Sequence, residues 1–459
     1  MSTLRHIPRF FAAIALSIAL AFTSAIPAGA QQRGISVVRD AEIEGLIADY
    51  VRPILKAAGL GRSGIEIVLV NDSSFNAFVA GRRIFMNTGA LMTAETPNEI
   101  IGVLAHEAGH IAGGHQQRLR DQLARAQTMA VISAILGAGA VAAGSMTNTD
   151  GLAHTGAGIF SGGMEVARRS VLSYQRTEEV TADRSAVTYL ERTGQSAKGM
   201  LTTFQRFADS MSLAGVKVDR YQISHPMPRE RIANLETLAR NSAHFDRKDP
   251  PALQQRHDLM RAKIAAYTQG HSAAMRLFRN NPRGIPALYA DAIGSFLTGN
   301  TRAAISKIDA LVKAQPNNPY FHEMRGEILI KAGQPAKAAE SFARAMRLDP
   351  LKSGIIQIGY GQALMATGTP DSLRKAVSEL QSGLSRTKEF AAGYRYLAQA
   401  HGRLGNVAEA ELATAEGHFH SGNYRDAKGF AARAQQKLQK GSPSWTRAQD
   451  IINFKTPRR

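Results

Sequence analysis

Pro282, Pro316 and Pro350 stand 34 residues apart, and Ala304 and Ala338 keep the same interval. That period is the length of one helix–turn–helix unit. Such a unit cannot bury its apolar face alone, so units of this kind stack into a solenoid. Gly326, Ala338, Phe342, Ala345 and Pro350 follow the same logic: small residues where paired helices approach, and a proline where the second helix stops. The register continues less regularly through Ala376, Leu380, Leu397, Ala398 and Ala410, and a further helix is expected over Tyr424 to Leu438. Four to five repeats with atypical ends are expected. An unrelated helical bundle is the alternative.

The repeat pattern resembles the tetratricopeptide consensus, whose solenoids present a concave surface that binds protein segments. It occupies only the second half of a 459-residue chain, so at least one other domain precedes it. Arg247-Lys248-Asp249-Pro250-Pro251 reads as the linker between them. The expected division is 1–30 export signal, 31–246 first domain, 247–251 linker, 252–440 repeats, and 441–459 a C-terminal cap with a basic tail.

In the first domain, His106-Glu107-Ala108-Gly109-His110 lies on a segment that reads as helix from Asn98. Residues four apart share a helix face, so His106 and His110 can hold one metal ion, with Glu107 beside a water on it. By itself the pattern also fits a helix with two polar residues on one face. Ile100, Val103, Leu104 and Ile111 make the flanks apolar, however, and buried imidazoles and carboxylates need partners. The chain has no cysteine, so any zinc must be held by His, Asp or Glu.

A hydrolytic zinc site needs a third protein ligand and an open position. The spacing H-E-x-x-H-x-x-G-x-x-H would place a third histidine at position 116, which is Gln116; His115 is one residue off and is expected in a polar or surface role. Glu179 and Asp183, four apart on a later helix, share a face. One can bind a metal while the other orients a ligand histidine. Glu179 fits the spacing of a glutamate-type zinc site, and Glu178 does not.

Around these motifs, residues 35–60 read as an amphipathic helix, and Ile65–Val70, Asn76–Val79 and Arg83–Asn87 as short strands. The last of these (Ile84, Phe85, Met86) is expected to be a free sheet edge that holds an extended peptide. The Gly/Ala-rich run Met129–Met146 admits three readings: a lid or membrane-dipping hairpin, a packed core segment, or a span. Residues 170–245 read as helices.

Arg5 and Arg9, an apolar run from Phe10 to Phe22, and Ala28-Gly29-Ala30 form a secretory signal pattern, so a periplasmic location is expected. The formal charge of +19 is compatible with anionic membrane surfaces or acidic partners, but a solvated basic surface is the expected reading. With export and no basic patch interleaved with aromatics, nucleic acid is not expected as a partner.

His106-Glu107-x-x-His110, Glu179-x-x-Ala182-Asp183 and His225-Pro226-Met227-Pro228-Arg229-Glu230-Arg231, in that order, resemble the metallopeptidase family of the CaaX-prenyl endopeptidases and the bacterial heat-shock membrane proteases. The resemblance covers roughly residues 35–440 with the repeats. It implies an α+β zincin-like metallopeptidase domain followed by an all-α tetratricopeptide-repeat solenoid. It implies one Zn2+ per chain on His106, His110 and Glu179, with Glu107 as general base and Asp183 beside the ligands. It implies that His225 can take the zinc's open position and hold the enzyme latent, and that Arg231 lies near the site. Arg231 or His225 is expected to face the developing oxyanion. Misassembled outer-membrane β-barrel proteins, and their assembly machinery, are the expected partners, with peripheral membrane contact. A binding or chaperone protein with a closed, structural zinc site is the rival reading.

Overall fold

The computed structural model describes residues 36–147, 150–212, 225–226 and 229–456. The expected export signal, Met227 and Pro228 lie outside them. The chain opens with β1 (Val37–Val38) and α1 (Ala41–Ala57). Asp40 caps α1 by accepting the Ile43 N–H at 2.9 Å. Ile43, Leu46, Ile47, Tyr50, Val51, Ile54 and Leu55 recur at helical spacing, and all are buried.

Three strands follow, β2 (Glu66–Val70), β3 (Ala77–Ala80) and β4 (Arg83–Asn87). The sheet order is β1-β2-β4-β3, with β2 parallel to β4 and the other pairs antiparallel. This overturns the expectation that Ile84, Phe85 and Met86 form a free edge: β4 is paired on both sides. The reason is the tight turn at Gly81, φ 63°, which folds β3 and β4 into a hairpin. Once β2 takes the inner side of β4, β3 alone is left as the edge on that side of the sheet. Ile84 and Met86 point into the core and are fully buried.

A short α2 (Thr88–Thr93) leads to α3 (Pro97–Ala112), which starts with proline in its first turn and carries both motif histidines. Next come two long helices, α4 (His115–Thr147) and α5 (Asp150–Arg192). Arg118 near the start of α4 reaches Glu178 on α5 at 2.8 Å, so the two form an antiparallel hairpin. At 1.5 Å per residue α4 alone is about 50 Å long. The Gly-rich stretch from Gly158 to Gly163 is helical within α5. On α4, Ala130 and Ala134 are buried, while Met129, Val131, Ile132, Ile135 and Leu136 are exposed, so this part of the run is not core. Among the described residues no helix is long and apolar enough to cross a membrane. Helices α6 (Lys198–Ser212) and α7 (Arg229–Arg240) complete the first region.

The repeat region begins with α8 (Pro251–Gln269) and α9 (His271–Leu277). Five helix pairs follow among the described residues: α10 (Ile285–Leu297) with α11 (Thr301–Ala314), α12 (Pro319–Lys331) with α13 (Pro335–Leu348), α14 (Gly354–Thr367) with α15 (Pro370–Arg386), α16 (Ala391–Arg403) with α17 (Val407–His420), and α18 (Tyr424–Lys437) with α19 (Pro443–Asn453). Ala304, Ala338, Phe342, Ala345, Ala376, Leu380 and Leu397 are all buried between them. The alternative of an unrelated bundle is excluded by this regular pairing.

The two regions are joined through buried polar contacts. Lys263 on α8 lies 2.7 Å from Asp40 and 3.4 Å from Glu42, and the Tyr289 hydroxyl donates to Glu42 at 3.0 Å. Arg83 on β4 lies 3.4 Å from Glu389, so the solenoid also meets the sheet. The expected linker is itself packed: the Asp249 carboxylate accepts the Asn98 N–H at 2.9 Å.

His257 on α8 is fully buried at this junction. Its Nε2 donates to the Ala94 carbonyl at 2.9 Å, and its Nδ1 accepts the Tyr50 hydroxyl at 3.0 Å. Burial pushes the imidazole down to about 4 from an ordinary value of 6.5. Between these values the unfolded chain binds the proton and the folded one does not. The neutral histidine's contribution is therefore complete above pH 6.5 and is lost as pH falls toward 4, a cost of about 3 kcal/mol. Melting curves across this range should show a shallower pH dependence in His257→Gln than in the wild type. An identical slope would remove His257 as the cause.

Candidate metal centre

The site is built on three helices and one segment between them. His106 and His110, one turn apart on α3, bring their Nε2 atoms to 2.9 Å. Helix α5 can lie against this face because residue 109 is glycine: a Cβ there would sit 2.9 Å from the Ala182 carbonyl oxygen. That approach carries Glu179 to 3.3 Å from His106 Nε2 and 3.4 Å from His110 Nε2. Asp183, one turn on, lies 2.9 Å from His106 Nδ1. His225, in the segment before α7, places Nδ1 3.3 Å from His106 Nε2 and 3.0 Å from Glu179.

One donor atom each from His106, His110, Glu179 and His225 lies within 4.8 Å of the others. Asp183 engages the far nitrogen of His106, so its Nε2 lone pair points inward. Bare imidazole nitrogens and a carboxylate repel one another at these distances unless a cation or protons stand between them. Glu107 Oε1 is buried and has no hydrogen-bond partner; it lies 3.5 Å from His225 Nε2. Three imidazoles and a carboxylate, beside the unsatisfied buried oxygen of Glu107, are a donor set that fits a zinc-like metal ion once His106 gives up its proton.

The electrostatics of the groups follow from these contacts. Burial pushes the Glu107 carboxyl up to about 7, against the lowering pull of His106 and His110. Burial would also raise Glu179, but His225, His106 and His110 outweigh it and hold the carboxyl well below its usual range. For His106, burial pulls down while hydrogen bonds to Asp183 and Glu179 pull up, and the balance stands at about 9. The Asp183 carboxyl is raised by burial but held low by Arg231.

Arg231 differs from its expected role. Its guanidinium donates to both Asp183 oxygens, at 2.6 and 2.8 Å, and to the Pro226 carbonyl at 2.9 Å, and it lies 2.8 Å from Glu179. It is almost wholly buried, with its donors taken up, so it braces the two carboxylates from behind rather than facing a reacting carbonyl. His225 does face the cleft.

That cleft, about 190 Å³, runs between the centre and the true edge strand, with Phe78 and Val79 of β3 in its wall beside Glu107 and His110. Two residues here, His115 and Gln116, have contacts that their spacing in the sequence did not disclose. His115 is buried, not on the surface, with Nδ1 2.8 Å from His110 Nδ1 and Nε2 2.6 Å from Glu178. Burial, then the nearby His110, push its imidazole down to about 4. Gln116 accepts the Gly81 N–H at 3.0 Å and donates to the Val79 carbonyl, tying α4 to the end of β3. The one available signal was the Gly113-Gly114 pair after α3, which turns the chain back on itself.

Compared with known proteins, residues 39–239 match Peptidase family M48, and residues 298–353 match a Tetratricopeptide repeat. The beta-barrel assembly-enhancing protease of Escherichia coli (strain K12) is 22% identical over 86% of this chain and 80% of its own length. A relative in Vibrio cholerae serotype O1, provisionally given the same name, is 26% identical over 88% of this chain and 82% of its own. Metalloprotease YcaL of Escherichia coli (strain K12) is 29% identical over 40% of this chain and 66% of its own. With the buried histidine–glutamate cluster inside the matched region, the chain carries a metalloprotease domain of peptidase family M48 joined to tetratricopeptide repeats.

Proposed function

We propose that this chain is a periplasmic, zinc-dependent endopeptidase that acts on misassembled outer-membrane β-barrel proteins, with its repeats holding substrate or assembly partners. The observation that carries the reading is the convergence of His106, His110, Glu179 and His225 beside the unsatisfied Oε1 of Glu107, in a cleft walled by the outermost strand of the sheet. The names of the relatives support the substrate class. The signal pattern in residues 1–30 supports the location.

His106, His110 and Glu179 would hold the zinc, with Asp183 and Arg231 fixing two of them. A bound zinc supplies Lewis acidity toward a peptide carbonyl and acidifies a water. Glu107 accepts the proton of the attacking water and delivers it to the leaving amine. An extended substrate pairs with β3, where Phe78 and Val79 face the cleft. An unpaired strand of a misfolded barrel offers the complementary edge.

His225 favours a refinement: it stands where a fourth donor would close the centre, so the enzyme is latent until His225 withdraws. A permanently closed, structural site in a chaperone is the rival. The described apolar residues of α4 and α5 support a second contact. Met129, Val131, Ile132, Ile135, Leu136 and Val166 are exposed, and Arg118, Arg120, Arg125, Arg168, Arg169 and Arg176 lie nearer the domain. An apolar hairpin with a basic collar matches an anionic lipid surface.

Glu107→Gln should lower proteolysis of an unfolded protein substrate by about 100-fold or more, with zinc content unchanged. Undiminished turnover would sink the mechanism. In His225→Ala, turnover should rise. Lost zinc and no gain would favour the structural rival. Anionic phosphatidylglycerol vesicles should carry the wild type in flotation and leave Ile135→Glu/Leu136→Glu behind; equal flotation of both would exclude the hairpin as the lipid contact.

A further inference from the structure

We propose that His115 and Glu178 are positioning residues: together they fix the ring tautomer of His110, so that its Nε2 lone pair is presented to the metal. The chain of contacts runs outward from the centre. His110 Nδ1 meets His115 Nδ1 at 2.8 Å, His115 Nε2 meets Glu178 Oε2 at 2.6 Å, and the same Oε2 receives Arg118 Nη2 at 2.8 Å. Arg118 is held in turn by the Tyr174 hydroxyl at 3.2 Å.

The direction of every proton follows from the far end. A carboxylate already receiving an arginine can only accept. A bare ring nitrogen 2.6 Å from that carboxylate would be repelled by it, so His115 Nε2 carries a proton, the contact being a close ion–dipole approach and not an aligned hydrogen bond. A neutral His115 then has a bare Nδ1, which accepts. His110 Nδ1 must donate to it, which leaves His110 Nε2 bare and facing His106 and Glu179. Glu178, two contacts away, thus decides which nitrogen of His110 is free. Asp183 does the same for His106 by a single contact. The two metal-facing histidines are held by different devices, one carboxylate acting directly and one through an imidazole.

The backbone is shaped for this contact. Gly114 has φ 65°, the left-handed turn that sends residue 115 back toward α3. A Cβ on Gly113 would stand 2.1 Å from His115 Nε2, so only glycine leaves room for the ring. His115 is buried, and nothing in the proposed peptide chemistry otherwise requires an imidazole there.

The proposal rests on the metal reading of the cluster, and zinc affinity measured by chelator competition tests the two apart. A wild-type chain that binds no zinc sinks the metal reading itself. If the wild type binds, His115→Phe should weaken zinc binding by about 10–100-fold. His115→Asn, whose side-chain oxygen can take the place of Nδ1 as acceptor, should restore most of it. In the metal-free protein, the nitrogen NMR signals of the His110 ring should report a protonated Nδ1 in the wild type and in His115→Asn, and a tautomer mixture in His115→Phe. Equal losses in the Phe and Asn variants would mean simple packing and overturn the proposal, as would wild-type affinity in a folded His115→Phe. Should His115→Phe fail to fold, Glu178→Ala at the rim decides: unchanged zinc affinity there overturns the relay, and a comparable loss supports it.

Discussion

Glu179 and Asp183 are two buried carboxylates one helical turn apart, and the first domain is arranged around them. Buried charge is tolerable only when it is compensated by well-placed opposite charge and hydrogen bonds. Here compensation comes from three directions: the imidazoles of α3, the guanidinium of Arg231 on α7, and His225 from the segment that precedes it. Each of those elements is therefore held against α5 by the same pair of acidic side chains. Gly109 makes this possible from the other side, since any side chain there would hold the two helices apart.

The sheet brings its outermost strand beside the centre, with Phe78 and Val79 in the wall of the cleft. That strand is β3 and not β4. Both strands have the short, β-branched and aromatic character of an edge, and Phe78 and Phe85 even stack on one another with ring centroids 4.9 Å apart. Which of the two lies outermost is decided by the parallel pairing of β2 with β4, a contact between residues about 17 apart in the chain that no local pattern reveals. Gln116 then occupies the far end of that edge, so the unpaired run is short and lies next to Glu107 and His110.

The solenoid is not an independent module appended to an enzyme. Lys263, Tyr289 and Tyr320 come from its early helices, and all three lie against α1 of the first domain: Tyr320 reaches Gly45, and the other two meet Asp40 and Glu42. Part of the repeat surface that would otherwise be free for partners is thus committed within the chain. Removing Lys263 would leave Asp40 and Glu42 without their buried counter-charge, so electrostatics as well as apolar packing ties the two regions together.

Local patterns were enough for much of this. The 34-residue period established paired helices, the spacing of His106, Glu107 and His110 placed them on one helix face, and the four-residue step from Glu179 to Asp183 marked a second functional face. These are short-range regularities, and helix geometry alone translates them into position. What the chain could not disclose is which side chains meet across long separations. His115 looked misplaced because it was measured against a spacing rule for ligands, whereas its partners are the Nδ1 of His110 and a glutamate over 60 residues away. Arg231 looked like a donor to substrate because its motif lies near the centre, yet two buried carboxylates claim its charge. The tertiary structure decided the strand order, the second layer of contacts behind each histidine and the docking of the repeats, because each depends on how buried polar groups find partners, and that is settled only when the helices are packed.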